Sequence, residues 1–184
     1  RSSAASDVYK RQALAHRVFG DPWPDVSDEA LLARAEEWLD LDALAAGRGS
    51  DATSGLRGLL GWRESARLDE VVPETITVPS GSRIRIDYPE PGSDTSPVLA
   101  VKLQECFGWA DGPTVCDGRV RVVLHLLSPA RRPLAVTDDL ASFWASVYPA
   151  VRVENRGRYS KHPWPEDPMT ATPTKRTNRA LRGN

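Results

Sequence analysis

The sequence has few of the residues from which metal and disulfide sites are built. Its 184 residues include two cysteines, Cys106 and Cys116, and three histidines. Two cysteines are too few for a disulfide framework, and no second pair is present to complete a zinc site. The histidines are scattered and have neither an HxxxH nor an HExxH spacing. We therefore expect two free thiols and no metal-dependent catalysis.

Long apolar runs are also missing. No stretch approaches the roughly 18 apolar residues of a membrane-spanning helix, and no signal-peptide core opens the chain. The composition, 40% hydrophobic and 27% charged, is ordinary for a globular protein. These features predict a soluble, cytoplasmic chain with one domain or two small ones and no membrane contact.

The sequence has no phosphate-binding loop. Such a loop ends in GK[ST], because backbone amides and the lysine neutralise the nucleotide phosphates. Only four lysines are present, and none follows a glycine. A hydrolase would have to use Cys106 and His125, but His125 shares a strand face with apolar residues and Cys106 lacks a cationic neighbour. We expect this chain to hold no cofactor and to have no catalytic residue.

The net charge of −1 hides an uneven distribution. Residues 21–48 contain eight acidic residues and two basic ones, whereas residues 152–184 contain eight basic residues and three acidic ones. Basic segments attract phosphate whatever the rest of the chain carries. The carboxy-terminal end is therefore a candidate for contact with a polyanion.

The amino-terminal part divides into a leader and a helical segment. Residues 1–12, RSSAASDVYKRQ, share no periodicity with the residues after them. We therefore expect them to be a non-native leader that lies outside the fold. We expect the rest of the chain to be a fragment of a longer protein. Residues 13–72 are predicted to be a helical accessory segment. Ser27 is positioned to cap a helix, and five apolar residues then recur at helical spacing: Leu31, Leu32, Ala35, Trp38 and Leu39.

After Pro73 the apolar period changes from helical to twofold. Residues 74–78 and 84–88 predict a hairpin, and residues 119–127, RVRVVLHLL, predict a central strand with a return strand at 134–136. A short helix through Leu103 and Cys106 is inserted between them. Residues 73–136 thus predict an α+β fold with a small OB-like β-barrel or sheet; a split α/β sandwich gives much the same pattern.

The remaining residues predict helices and a tail. Thr137 is expected to cap a helix whose buried face includes Phe143 and Trp144, within a carboxy-terminal helical extension over residues 137–168. Residues 169–184 contain too few apolar side chains to bury. We expect them to be a flexible basic tail.

The segment NRGRYSKHPWPEDP, residues 155–168, is the densest candidate site. Its cations are positioned to contact phosphate and its aromatic rings to stack on bases, as in proteins that bind single strands. The candidate residues are Arg156, Arg158, Lys161 and His162 for phosphate, with Tyr159 and Trp164 for stacking. In the alternative interpretation, Tyr159 and Trp164 fold back as apolar anchors while the charges stay in solvent. Arg131 and Arg132, in a turn between strands, form a second candidate patch.

Four segments together resemble the carboxy-terminal region of HrpB-type bacterial DEAH-box ATP-dependent helicases. They are TVPSGSRIRIDYPE, PVLAVKLQECFG, GRVRVVLHLLSPARRPLAVTDDLASFWASVYPAVR and GRYSKHPWPEDP. The resemblance runs over about residues 20–176 and includes LLARAEEWL and LLGW in the helical segment.

This resemblance implies a pair of RecA-like motor domains outside these residues, which would hold ATP and magnesium and carry out hydrolysis. It implies that the present chain is an accessory region that helps to bind single-stranded RNA or DNA and contacts its own motor domains. The alternative is a module for docking to protein, with no direct contact to nucleic acid.

Overall fold

The computed structural model describes residues 3–183, which form two compact units. Of the described residues, unit 1 comprises residues 3–74, Tyr88–Ser96 and Val115–Val120, and unit 2 comprises Thr75–Asp87, Pro97–Thr114 and residues 121–183. The units do not follow the predicted domain boundaries, because residues 88–96 and 115–120 of the predicted β region belong to unit 1. Among the helices of residues 3–183, none has both the length and the apolar composition needed to cross a bilayer.

Helices come first along the chain, then strands, then helices again. In chain order the α-helices and β-strands are α1 (Ala4–Phe19), α2 (Asp28–Ala33), α3 (Ala35–Trp38), α4 (Leu41–Ala45), α5 (Ala52–Gly58), α6 (Trp62–Val71), β1 (Thr75–Thr77), β2 (Arg83–Arg85), β3 (Val98–Lys102), β4 (Thr114–Val115), β5 (Val120–Arg121), β6 (Val123–Leu127), β7 (Pro133–Thr137), α7 (Leu140–Ser142), α8 (Tyr148–Asn155) and α9 (Asn178–Arg182). A 3₁₀-helix over Leu103–Cys106 follows β3, and a π-helical turn over Phe143–Val147 joins α7 to α8.

Helix α1 includes most of the residues predicted to be a leader. It begins at Ala4, and within it Val8 packs with Leu56 and Leu59 in a buried cluster. The buried Arg11 donates from Nε to the carbonyl oxygen of Val72 at 2.6 Å. Residues 4–12 are therefore part of the fold of unit 1, contrary to the expectation that they lie outside it; that the segment is non-native stays a prediction.

The apolar stripe predicted for one helix is divided between α2 and α3. Ser27 caps α2 as predicted, accepting from the backbone N–H of Ala30 at 3.3 Å. At Arg34, φ is −113° and ψ is 23°, which ends the regular helix and starts a new one. Leu32, which lies just before this break, is 78% exposed instead of buried.

Unit 2 contains the predicted hairpin and a three-stranded sheet. Strands β1 and β2 pair antiparallel, with Ile76 opposite Ile84. Strand β6 lies in the centre of the second sheet, as predicted, with β3 parallel on one side and β7 antiparallel on the other. The third sheet is the two-stranded pair β4 and β5. The α+β class is thus confirmed, but the sheets of the described residues do not close into an OB-like barrel.

The predicted strand over residues 119–127 is interrupted at Val122. Its backbone N–H donates to the carbonyl oxygen of Pro113 at 2.9 Å, outside the ladder of the three-stranded sheet. The chain therefore changes partner at this residue, and two strands, β5 and β6, replace the predicted one.

The helical extension begins two residues later than predicted. Asp139, not Thr137, is the N-cap of α7 and accepts from the backbone N–H of Ser142 at 3.1 Å. Thr137 instead accepts from the N–H of Asp139 at 3.0 Å and fixes the turn that precedes the helix. Beyond it, four rings form one aromatic cluster in unit 2: Phe107, Phe143, Trp144 and Tyr148.

The described part of the predicted flexible tail is packed on unit 2. Thr174 is buried, and its N–H donates to the carbonyl oxygen of Gln104 at 2.9 Å. The N–H of Asn178 donates to the carbonyl oxygen of Lys161 at 2.7 Å, at the start of α9. Backbone hydrogen bonds and one buried threonine thus hold part of the segment whose composition predicts a flexible tail.

Candidate nucleic-acid interface

The predicted arginine patch lies at one end of the three-stranded sheet. In the β3–β6 register Lys102 is opposite Leu127, the last residue of β6. The turn that carries Arg131 and Arg132 follows at once and leads into β7 at Pro133. The strand ends therefore place Lys102 at the same end of the sheet as the two arginines. Lys102 is not among the residues predicted from sequence, because a lone lysine gives no sign that β3 pairs in parallel with β6.

Backbone contacts hold this turn. Arg131 has a φ of 62°, in the left-handed region, and its N–H donates to the carbonyl oxygen of Ser128 at 2.8 Å. The N–H of Arg132 donates to the hydroxyl of the same buried serine at 3.1 Å. Both arginine side chains are exposed, and neither is ion-paired within residues 3–183. The turn thus presents two unpaired guanidinium groups on a fixed backbone.

The second predicted patch is tied to the residues that follow β3. Burial lowers the pKa of His162 from its usual 6.5, and the Lys102 ammonium lowers it further. The adjoining Pro163 accepts from the side-chain amide of Gln104 at 3.4 Å, so the segment is tied to the residues that follow the strand.

Trp164 is an anchor of this segment. Only 8% of the residue is exposed, and its indole N–H donates to the carbonyl oxygen of Tyr159 at 3.1 Å. The guanidinium of Arg152 donates to the carbonyl oxygen of Trp164 at 2.7 Å. The prediction that Trp164 stacks on bases is therefore wrong for this structure, because its ring is enclosed by protein. The alternative, an apolar anchor that folds back, describes Trp164 correctly.

Tyr159 and Arg158 remain accessible together. Tyr159 is half-buried, and the guanidinium carbon of the exposed Arg158 lies 5.8 Å from the centre of its ring. A guanidinium over an aromatic face is a cation–π arrangement, and both planar groups are suited to stacking. Of the two predicted aromatic residues, the structure leaves only Tyr159 for that role.

The last predicted cations differ in their surroundings. Arg156 follows α8 and is exposed, and none of its contacts in the described chain links its side chain to the strand ends. Lys161 is exposed and borders a cavity of about 330 Å³ together with Arg179 from α9. The docked carboxy-terminal segment therefore adds Arg179 to this face, a residue that was assigned to a flexible tail.

We name as the basic face the cations and the accessible ring of these two segments of unit 2, together with Lys102 and Arg179. They are Lys102, Arg131, Arg132, Arg158, Tyr159, Lys161, His162 and Arg179. The face combines exposed cations with one accessible ring, which is the side-chain chemistry of surfaces that bind single-stranded nucleic acid.

Comparison with known proteins places the chain in a family. A family model described as "ATP-dependent helicase C-terminal" matches residues 35–168. The ATP-dependent RNA helicase HrpB of Escherichia coli strain K12 is 49% identical over 162 residues, which are 85% of this chain and 20% of that protein.

Two solved structures are similar in fold as well as in sequence. A crystal structure of the E. coli DExH-box NTPase HrpB has a TM-score of 0.85 and 45% identity, covering 96% of this chain and 22% of that one. A crystal structure of the E. coli DEAH/RHA helicase HrpB has a TM-score of 0.70 and 43% identity, covering 88% and 21%. The chain thus spans about a fifth of the length of these relatives. It belongs to the C-terminal family of HrpB-type ATP-dependent helicases.

Proposed function

We propose that this chain is a non-catalytic accessory region that holds single-stranded RNA or DNA for an ATP-dependent helicase motor located elsewhere in a longer protein. The observation that carries the proposal is the position of Lys102. It lies at the same strand ends as the Arg131–Arg132 turn, and Gln104, two residues after it, donates to the carbonyl oxygen of Pro163 in the other predicted patch. Two patches that are 30 residues apart in sequence are thereby joined in one basic face.

The side chains of the basic face suit different parts of a nucleic acid. The unpaired guanidinium groups of Arg131 and Arg132 can each donate two N–H hydrogen bonds to a phosphate. Lys161 adds a point charge, and Tyr159 with Arg158 offers a platform for a base. These groups would bind a strand through its charge and through base stacking, and they would not recognise its sequence. We therefore propose binding that is weak, tolerant of sequence and strongly dependent on salt.

The same proposal assigns ATP and magnesium to motor domains outside this chain. The residues here do not fit a nucleotide site, because none of the four lysines follows a glycine and the GK[ST] loop is absent from the sequence. We derive no step of hydrolysis through these residues. We also propose the cytoplasm as the place of action, together with the motor domains of the same polypeptide.

Binding to single-stranded RNA at two salt concentrations tests the proposal. Fluorescence anisotropy with a labelled oligonucleotide should show a logarithmic salt slope of about −0.7 for each phosphate neutralised. The variant Arg131→Ala/Arg132→Ala should bind more weakly. The matched control is Arg48→Ala/Arg57→Ala, which removes two guanidinium groups of unit 1. Binding that does not respond to salt, or an equal loss in both double variants, would contradict the proposal.

A docking module is the second candidate function, and exposed apolar side chains favour it. In unit 1 Trp62 is 79% exposed and Leu32 is 78% exposed, and large exposed apolar side chains are suited to contact with a protein partner. Replacing Arg156, Arg158 and Lys161 by alanine in the full-length protein separates the two functions. Unchanged RNA-stimulated ATPase and unwinding would favour docking, whereas a loss of stimulation supports nucleic-acid contact.

A further inference from the structure

Unit 2 has a groove at the end of the three-stranded sheet opposite the Arg131–Arg132 turn. Strand β7 ends at Thr137, which is paired with Leu124 near the start of β6. Asp138 and Asp139 follow directly, and the loop that contains Pro113 is held to the same strand end through Val122. These segments therefore meet where β6 begins, whereas the Arg131–Arg132 turn lies where β6 ends.

Two adjoining cavities of about 240 and 360 Å³ form this groove, and they share Ala110 and Ala141. The larger cavity is lined mainly by apolar residues: Ala110, Ala141, Trp144, Ala145, Pro168 and Met169. The indole of Trp144 is held in place by an N–H bond to the carbonyl oxygen of Trp109 at 2.8 Å. The groove thus has a fixed aromatic wall and a floor of small side chains that allows close approach.

Carboxylates surround this apolar floor. Asp111, Asp138 and Asp139 line the smaller cavity together with Arg121, and Asp167 lines the larger one. Hydrogen bonds from Ser142 lower the pKa of Asp139 below its usual range, so this carboxylate is charged at neutral pH. Asp111 and Asp138 are exposed and make no hydrogen bond or ion pair within the described residues.

The charge pattern selects a cationic, partly apolar occupant. Four carboxylates and one guanidinium surround the groove, so a phosphate backbone would be repelled there. A peptide segment with an aliphatic or aromatic side chain between lysines or arginines satisfies both features, because its apolar group fills the floor while its cations face the aspartates.

The small size of the groove indicates that its occupant is a segment of the same polypeptide and not a separate protein. Stable complexes between separate proteins bury about 1,200–2,000 Å² in total, which is far more than a few residues in such a groove can bury. A segment of the same polypeptide needs much less, because linkage raises its effective concentration to about millimolar. The HrpB relatives have about four fifths of their length outside the matched region, where such a segment can lie.

We infer that this groove receives a basic, apolar segment of the same polypeptide from outside these 184 residues. The inference rests on the proposed function in one respect, namely that the chain is an accessory region of a longer protein. The groove then attaches unit 2 to the rest of the protein, while the opposite end of the sheet is left free for nucleic acid.

Photo-crosslinking of the full-length protein tests this inference. A benzoylphenylalanine in place of Ala145, an exposed residue of the groove, should crosslink within the same polypeptide. Mass spectrometry should map the crosslink to a segment with lysine or arginine beside an apolar residue. Charge reversal by Asp111→Lys/Asp138→Lys should reduce the yield about tenfold, since attraction becomes repulsion at two positions. The matched control Glu154→Lys reverses an exposed charge outside the groove and should leave the yield unchanged.

Several results would overturn the inference. These are a crosslink to a second copy, to a separate protein or to bound RNA, a yield that charge reversal does not alter, and no crosslink in a protein whose melting temperature is unchanged. Measurement of RNA binding distinguishes failure of this inference from failure of the proposed function. Asp111→Lys/Asp138→Lys should retain RNA affinity, whereas Arg131→Ala/Arg132→Ala should lose RNA affinity and retain the crosslink.

Discussion

Replacing Trp164 by alanine discriminates between an anchoring role and a stacking role. The residue is only 8% exposed, so the substitution removes an almost fully enclosed indole and leaves a cavity. Such Trp-to-Ala changes cost about 3–5 kcal/mol of unfolding free energy. Domains of this kind have only about 5–15 kcal/mol in total. We therefore expect Trp164→Ala to lose a large part of the stability of unit 2.

The milder variant Trp164→Phe isolates the hydrogen bond from the packing. The carbonyl oxygen of Tyr159 accepts the indole N–H at 3.1 Å, but it also accepts the backbone N–H of His162 at 3.0 Å. The oxygen is therefore still paired in the phenylalanine variant. The loss of the hydrogen bond should cost only about 1 kcal/mol, in addition to the smaller loss from reduced ring volume.

Urea denaturation followed by far-UV circular dichroism measures both costs. Tryptophan fluorescence is less suitable because the chain has six tryptophans. Hydrogen exchange of the backbone amides in β6 shows whether the lost stability is that of unit 2. Tyr159→Ala is the control, since this half-buried ring should affect RNA affinity more than stability. A Trp164→Ala protein that is as stable as the wild type but binds RNA less well would refute the reasoning, because the indole would then be a stacking surface.

Three further changes test separate features of the structure. The variant R131A/R132A should reduce the logarithmic salt slope of RNA binding by about 1.4, at about 0.7 per phosphate contact, measured by anisotropy between 50 and 200 mM salt. Gly55→Ala should destabilise unit 1 by about 1–3 kcal/mol in thermal melts, because a Cβ there overlaps a backbone carbonyl of α3, whereas Gly58→Ala meets nothing within 4 Å and should be neutral or slightly stabilising. The pKa of His162 is lower in the folded chain than its usual 6.5, so protonation favours unfolding and stability should fall as the pH drops through about 6.5. His162→Gln should flatten this loss in urea midpoints at pH 7.5 and 5.5; an equal acid-side loss in the variant would contradict that assignment.

Local features of the fold were predictable because they depend on neighbouring residues. Ser27 caps α2 since its hydroxyl is three residues from the N–H of Ala30. The alternation of Ile76 and Ile84 with charged or hydroxyl side chains predicts the hairpin in which they pair. The run of apolar residues on both faces of β6 likewise predicts its central position.

The features that failed depend on partners distant in sequence. The pattern of residues 119–127 does not show that Val122 leaves the sheet to pair with Pro113. Composition alone does not show that Thr174 finds a backbone partner in Gln104 and docks the tail. For Trp164, the same residue type suits stacking or anchoring, and only the enclosing contacts decide between the two.

The interface was predicted as two separate patches for the same reason. Arg131 and Arg132 were identified from a turn, and His162 and Lys161 from a basic segment, but no sequence rule connects them. The connection is Lys102, whose position depends on a parallel register between β3 and β6. A lysine that is inconspicuous in sequence is thus placed at the same end of the sheet as the Arg131–Arg132 turn.

The topology of the three-stranded sheet places a pair of arginines and a pair of aspartates at opposite ends. Because β6 and β7 are antiparallel, the turn between them and the residues after β7 must lie at opposite ends of the sheet. The turn carries Arg131 and Arg132, and the residues after β7 are Asp138 and Asp139. A strand of nucleic acid attracted to one end is therefore kept away from the other. If RNA binds at the arginine turn and a basic segment docks in the groove, the two therefore occupy different surfaces and do not compete.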